Sequence, residues 1–117
     1  MKKRVVITGL GVVSPVGNNQ EDFWKSLSQG RGGIGRISRF DVSKYSAQIA
    51  GEVKDFDPAL YMDRKELRRM DRYTHYAMAA AKMAVEDSGL KIEGEFAERV
   101  GVIIASGIGG TETWAAQ

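Results

Sequence analysis

The sequence has 117 residues, of which 43% are hydrophobic and 27% charged, with a formal net charge of +2. That balance fits one soluble globular domain or a piece of a larger one, and it does not signal bulk nucleic-acid binding. Cysteine is absent, which excludes disulfides, thiolate metal sites and a Cys nucleophile within these residues, and a zinc site or Ser/His/Asp triad would have to rest on His75, the one histidine, and neither is expected.

The opening MKKRVVITGLGVVSP is basic and then apolar, as a secretory signal is. Thr8, Gly9 and Gly11 interrupt the apolar run, and no small-residue cleavage site follows it. No apolar run approaches the ~20 residues that span a bilayer. A cytoplasmic protein is therefore expected. A chain of this length can bury a core without staples.

Arg4 to Val13 reads as a buried strand, being β-branched and nearly continuous. Ser14-Pro15 ends it. Asn18-Asn19 offers an N-cap, with Glu21 three residues after Asn18 as in a capping box. A helix from about Gln20 to Gln29 is expected to bury Phe23, Trp24 and Leu27. Gly30 suits the left-handed position after it. GRGGIGR then reads as a loop. Tyr45 to Val53 has patchy strand character, with Ala47, Ile49, Gly51 and Val53 on one face. Asp57-Pro58 starts a short turn or helix.

Asp63 is placed to cap a short helix holding KELRR. Asp71 begins the longest periodic segment. There Tyr73, Ala77, Ala80, Ala81, Ala84 and Val85 make an alanine-rich stripe that permits close approach of a neighbour. Gly89 ends it. Arg99 to Ser106 reads as a second buried strand, and Thr111 as the cap of a further helix. Two buried strands with a long helix between them point to α/β layering. Two such strands do not make a complete sheet, so the chain is expected to be the start of a larger domain.

Three stretches are candidate sites. Gly9 and Gly11 after a strand resemble a dinucleotide fingerprint, but Ser14 replaces its third glycine and the helix starts only after Asn18. A pyrophosphate would find no helix N-terminus at the right distance. The alternative is that these glycines let a helix or another backbone pack closely. Lys65, Arg68, Arg69 and Arg72 share a face if one helix continues through them. That face is either solvated or a docking patch for an acidic partner or phosphate. His75 reads as a structural histidine. The SGIGG stretch, Ser106 to Gly110, can bind an anion through N–H groups or hold Ile108 at a pocket or subunit contact. A small nucleotide- or nucleic-acid-binding domain resting on the glycines and the basic run stays open on these features.

These pieces occur together and in order. RVVITGLGVVSPVGN, Trp24-x-x-Leu27-x-x-Gly30, Phe40-Asp41, AGEVKDFDP, KELRRMDRYTHYA, DSGL and GVIIASGIGG resemble the N-terminal part of the β-ketoacyl-acyl carrier protein synthases, most of all synthase II. Arg31 to Gly35 departs from the family's Ser-Gly-Ile, and TETWAAQ is atypical. The resemblance implies a thiolase-like fold layered α-β-α-β-α, of which residues 1–117 would be the first part of the N-terminal half, truncated at the C-terminal end. It implies a homodimer in the full-length protein and a fatty-acid elongating acyltransferase. That enzyme condenses malonyl-acyl carrier protein, with decarboxylation, onto an acyl-enzyme thioester. It uses a Cys nucleophile and two His that stabilise the developing oxyanion. None of those residues lies here, so no catalytic residue is assigned, and no cofactor or metal is implied. The chain alone is expected to be inactive, with the reading frame continuing past Gln117. Lys65, Arg68 and Arg69 match the family's carrier-protein docking positions. Ile108 matches a residue lining the acyl pocket at the dimer interface. A non-catalytic chain-length-factor subunit of polyketide synthesis is the alternative within the family.

Overall fold

The computed structural model describes residues 2–116. In chain order it contains α1 (Gln20–Ser28), β1 (Ile34–Arg36), β2 (Ile49–Gly51), a 3-10 turn (Pro58–Leu60), α2 (Arg64–Leu67), α3 (Arg72–Ser88), α4 (Gly94–Ala97) and α5 (Thr111–Ala115). Two compact units emerge. One is Val12–Asp57; the other joins the residues up to Gly11 with those from Pro58 onward.

Within Val12–Asp57, Ser14 and Gly17 exchange backbone hydrogen bonds of 2.9 and 3.2 Å, closing the turn expected at Ser14-Pro15. The cap of α1 is Asn19. Its side chain accepts from the Asp22 N–H at 2.9 Å and donates to the Asp22 carboxylate at 2.7 Å. The N-cap bond of the expected capping box is thus made by Asn19, one residue later than the Asn18–Glu21 pairing expected, while the return bond uses the Asn19 side-chain amide and not its backbone N–H. Asn18 instead donates to the Lys54 carbonyl at 2.7 Å. Gly30 has a φ of 67°, the left-handed conformation expected after the helix. The apolar face of α1 is not buried as expected. Trp24 is 70% exposed, Leu27 is exposed, and Phe23 is half-buried, because neither strand packs broadly on this helix.

β1 and β2 pair antiparallel, with Ile34 opposite Gly51, Gly35 opposite Ala50 and Arg36 opposite Ile49. β2 falls inside the expected strand. β1 lies in GRGGIGR, expected as a loop; pairing and packing here override weak strand propensity. The packing partner is Pro15. A Cβ added at Gly33 would lie 2.8 Å from the Pro15 Cβ, and one at Gly51 would lie 3.0 Å from the Pro15 Cγ. Val42 is this unit's buried apolar side chain. Beside the sheet, the Ser38 hydroxyl donates to Glu52 at 2.7 Å, the Ser38 N–H donates at 3.1 Å, and Arg39 lies 3.9 Å away. The Ser38 hydroxyl chiefly holds the Glu52 carboxyl below its ordinary value. Asp41 is lowered in the same way by the Ser43 N–H and hydroxyl.

In the other unit, Asp63 caps α2, accepting from the Lys65 N–H at 3.1 Å as expected. Gly89 ends α3 with a φ of 65°. Ala79, fully inaccessible, and Met62 form the buried apolar centre. Gly9 and Gly11 lie along α3. A Cβ on Gly9 would strike the Ala84 carbonyl and lie 2.7 Å from the Ser88 nitrogen. A Cβ on Gly11 would strike the Ala80 carbonyl. The alanine stripe therefore does admit a close neighbour at Ala80 and Ala84. Tyr73, Ala81 and Val85 of the same stripe remain exposed.

Three expectations are corrected here. Residues 4–13 and 99–106 form no ladder among the described residues. Val5 is 94% and Ile103 97% exposed. Strand composition alone does not make a strand, since its N–H and C=O groups need a neighbouring chain about 4.8 Å away. The Leu10 N–H meets the Asp87 carboxylate instead, at 2.9 Å. Thr111 is the first residue of α5, not its cap; the cap position is Gly110. Buried apolar side chains among the described residues are only Val42, Met62 and Ala79, so the core is small for this length. The architecture is small α/β with a two-stranded sheet. The layers implied by the family resemblance are not assembled among the described residues.

Gly11→Ala should cost about 1–3 kcal/mol of stability, read from the shift in a urea unfolding midpoint, because the new methyl meets helix backbone that cannot step aside. Ser38→Ala should raise the Glu52 titration midpoint toward the ordinary glutamate range, read by carboxyl-carbon NMR. A lowered folded pKa stabilises above the unfolded value and is lost as pH falls through the folded one. Ser38→Ala should therefore weaken the native protein at neutral pH and leave its acid stability less changed.

Candidate functional site

Gly9 and Gly11 are the first candidate to resolve. Both abut the backbone of α3, so neither is free to cradle a phosphate. The dinucleotide reading fails on that contact, and the packing reading accounts for it. Among the described residues no group of His, Asp and Glu is placed to hold a metal ion. No helix there is long and apolar enough to cross a membrane.

The basic run divides. α2 stops at Leu67, with Arg68 in the C-cap position and α3 starting only at Arg72. The condition for a four-residue face is not met. Lys65, Arg68 and Arg69 stay together on α2 and the turn after it, all exposed, and Arg64 adds another exposed cation. Arg72 is drawn away, lying 3.4 Å from Glu112. The Asp63 carboxylate is engaged with the α2 backbone. No described carboxylate forms an ion pair with Lys65, Arg68 or Arg69. Asp63 and Glu66 on the same short helix offset part of this charge, and the cluster stays net positive. The His75 ring nitrogen Nε2 lies 3.1 Å from the Leu67 carbonyl and ties the end of α2 to α3, a structural role as expected. Lys82 donates to the Tyr61 carbonyl and ties α3 to the segment after the 3-10 turn. Beside it, Met78, Ala81, Val85 and Glu86 line an open hollow of about 310 Å³.

The second surviving candidate is the loop from Ser106 to Gly110. The Ser106 hydroxyl accepts from the Gly109 N–H at 3.0 Å. Gly109 has a φ of 85°, which favours glycine. Ile108 projects from this turn, 86% exposed.

Sequence reasoning missed what stands behind that loop. Asp71 occupies the N-cap position of α3, but its carboxylate makes no bond to the helix. It accepts instead from the Thr113 hydroxyl. An N-cap carboxylate bond is worth about 0.5–2 kcal/mol to a helix, so its diversion is a substantial redirection. The two residues are 42 apart in sequence, and no local pattern announces the pairing.

The family model described as "Beta-ketoacyl synthase, N-terminal domain" matches residues 2–117. Proteins named 3-oxoacyl-[acyl-carrier-protein] synthase 2 are similar over most of the chain. The one from Coxiella burnetii is 56% identical over 93% of this chain and 26% of its own length. The one from Synechocystis sp. is 50% identical over the same shares. The one from Vibrio harveyi is 51% identical over 95% of this chain and 27% of its own length. The chain thus spans about a quarter of the length of these relatives. A solved structure described as "The ishigamide ketosynthase/chain length factor" superposes with a TM-score of 0.67 at 41% identity, covering 74% of this chain and 22% of that one. On a match that runs nearly end to end, the chain belongs to the β-ketoacyl synthase family, in its N-terminal domain.

Proposed function

We propose that this chain is the first part of a fatty-acid elongating ketosynthase of the synthase II type. The observation that carries the reading is the match to proteins named 3-oxoacyl-[acyl-carrier-protein] synthase 2, at 50–56% identity over 93% of the chain. In the full-length protein, malonyl-acyl carrier protein loses CO2, and the resulting carbanion attacks an acyl group held as a thioester on the enzyme. The nucleophile and the oxyanion-stabilising groups belong to the continuation of the protein, since these residues include no Cys. In that protein, residues 4–13 and 99–106 enter a thiolase-like layered fold, paired by strands outside this chain. The exposure of Val5 and Ile103 supports this. The enzyme works as a cytoplasmic homodimer.

Lys65, Arg68 and Arg69 receive the acyl carrier protein. Their exposure and lack of ion-pair partners support a steering role toward an acidic surface. Ile108 forms part of the acyl pocket wall at the dimer interface, supported by its projection from a tight glycine turn. The alternative is a chain-length-factor-type subunit without a nucleophile; a solved neighbour's description names a chain length factor beside a ketosynthase.

Full-length protein given acyl- and malonyl-carrier protein should release CO2 and form 3-oxoacyl-carrier protein. Absence of both products would reject the condensing reading in favour of the non-catalytic one. Lys65→Glu with Arg68→Glu should weaken carrier-protein binding about tenfold at low ionic strength, and less at high salt, with unfolding unchanged. Unaltered Kd at low salt would make the patch a solvated face. Ile108→Phe should shorten the longest acyl chain elongated, read by mass spectrometry of the products.

A further inference from the structure

We propose that Asp71 and Thr113 form a latch that positions the 106–110 loop, and through it Ile108, making Asp71 a positioning residue for acyl-chain length. The inference rests on the reading of Ile108 as pocket wall.

Two polar contacts join the start of α3 to the first turn of α5. The Thr113 hydroxyl donates to the Asp71 carboxylate, and the Arg72 guanidinium lies 3.4 Å from the Glu112 carboxylate. The loop bearing Ile108 runs directly into that turn. Its entry is held from within by the bond from the Gly109 N–H to the Ser106 hydroxyl. Its exit is held from outside by Asp71.

Gly110 supplies an independent observation. Its backbone, at φ −80° and ψ 66°, needs no left-handed freedom. A side chain there would compete with the Asp71 carboxylate for space. A Cβ at Gly110 would run into the Asp71 carboxylate and lie 3.0 Å from its Cγ. The loop and the carboxylate are thus built around one another. An Ile placed by such a turn moves whenever the turn moves. A carboxylate away from the acyl chain then controls where the pocket ends.

The test uses the full-length protein, with two readouts: product chain length, and hydrogen–deuterium exchange of the peptide covering 107–110. Asp71→Ala and Thr113→Val should each speed that exchange about tenfold, the loss expected for a hydrogen bond to a charged group. Each should also broaden the products toward longer chains. Asp71→Asn keeps an acceptor for Thr113 and should restore both readouts. Gly110→Ala should perturb both on its own and add nothing in the Asp71→Ala background, where the space has been vacated. If Ile108→Phe changes the products while Asp71→Ala changes neither readout, the latch is overturned and the pocket reading stands. If Ile108→Phe leaves the products unaltered, the pocket reading falls, and exchange alone judges the latch. Tenfold faster exchange that Asn reverses then supports loop positioning, and unchanged exchange overturns it.

Discussion

The contact between two glycines and one helix is the constraint from which the larger unit is built. Two residues along an extended chain cover about 6.6 Å, and four along an α-helix cover about 6 Å. Gly9 and Gly11 therefore match Ala84 and Ala80 almost step for step, each glycine against a helix carbonyl. Any side chain at either position would push the opening segment off α3. The same approach brings the Leu10 N–H to Asp87, which satisfies a donor that would otherwise seek a strand.

Held in this way, α3 becomes the beam from which both candidate surfaces hang. His75, one turn into it, grips the carbonyl at the end of α2 and so places the turn carrying Arg68 and Arg69. Asp71 and Arg72, at its start, reach α5 and so place the loop carrying Ile108. Most of these fastenings are polar or depend on absent side chains. Few come from apolar burial, and the long β-branched stretches stay uncovered. Such surfaces are expensive to leave in water at about 25 cal/mol per Å². Their cover is the role assigned above to strands outside this chain.

Much of this was legible locally. Helix ends are written in short-range chemistry, so Asp63 before α2 and Gly30 and Gly89 after α1 and α3 could be read directly. The use of Gly9 and Gly11 for packing followed from a failed fingerprint and an alanine stripe. Other features depended on distant partners. β1 hides among glycines and exists because β2 and Pro15 meet it. Asn19 caps α1, while Asn18 bonds to the distant Lys54 carbonyl. Arg72 is off the basic face because α2 ends at Leu67 and a new helix starts at Arg72, where it lies 3.4 Å from Glu112.

The sequence by itself determined the family, through an ordered set of short motifs, and the sites of most helix starts and stops, because those depend on neighbours within a few residues. It also marked Lys65, Arg68, Arg69 and Ile108. Tertiary structure alone decided that the basic run splits, that two apolar segments go unpaired, and that Asp71 turns from its own helix to Thr113. Each of these joins, or fails to join, residues far apart in the chain. Periodicity and propensity carry no information about which distant partner lies within hydrogen-bonding distance.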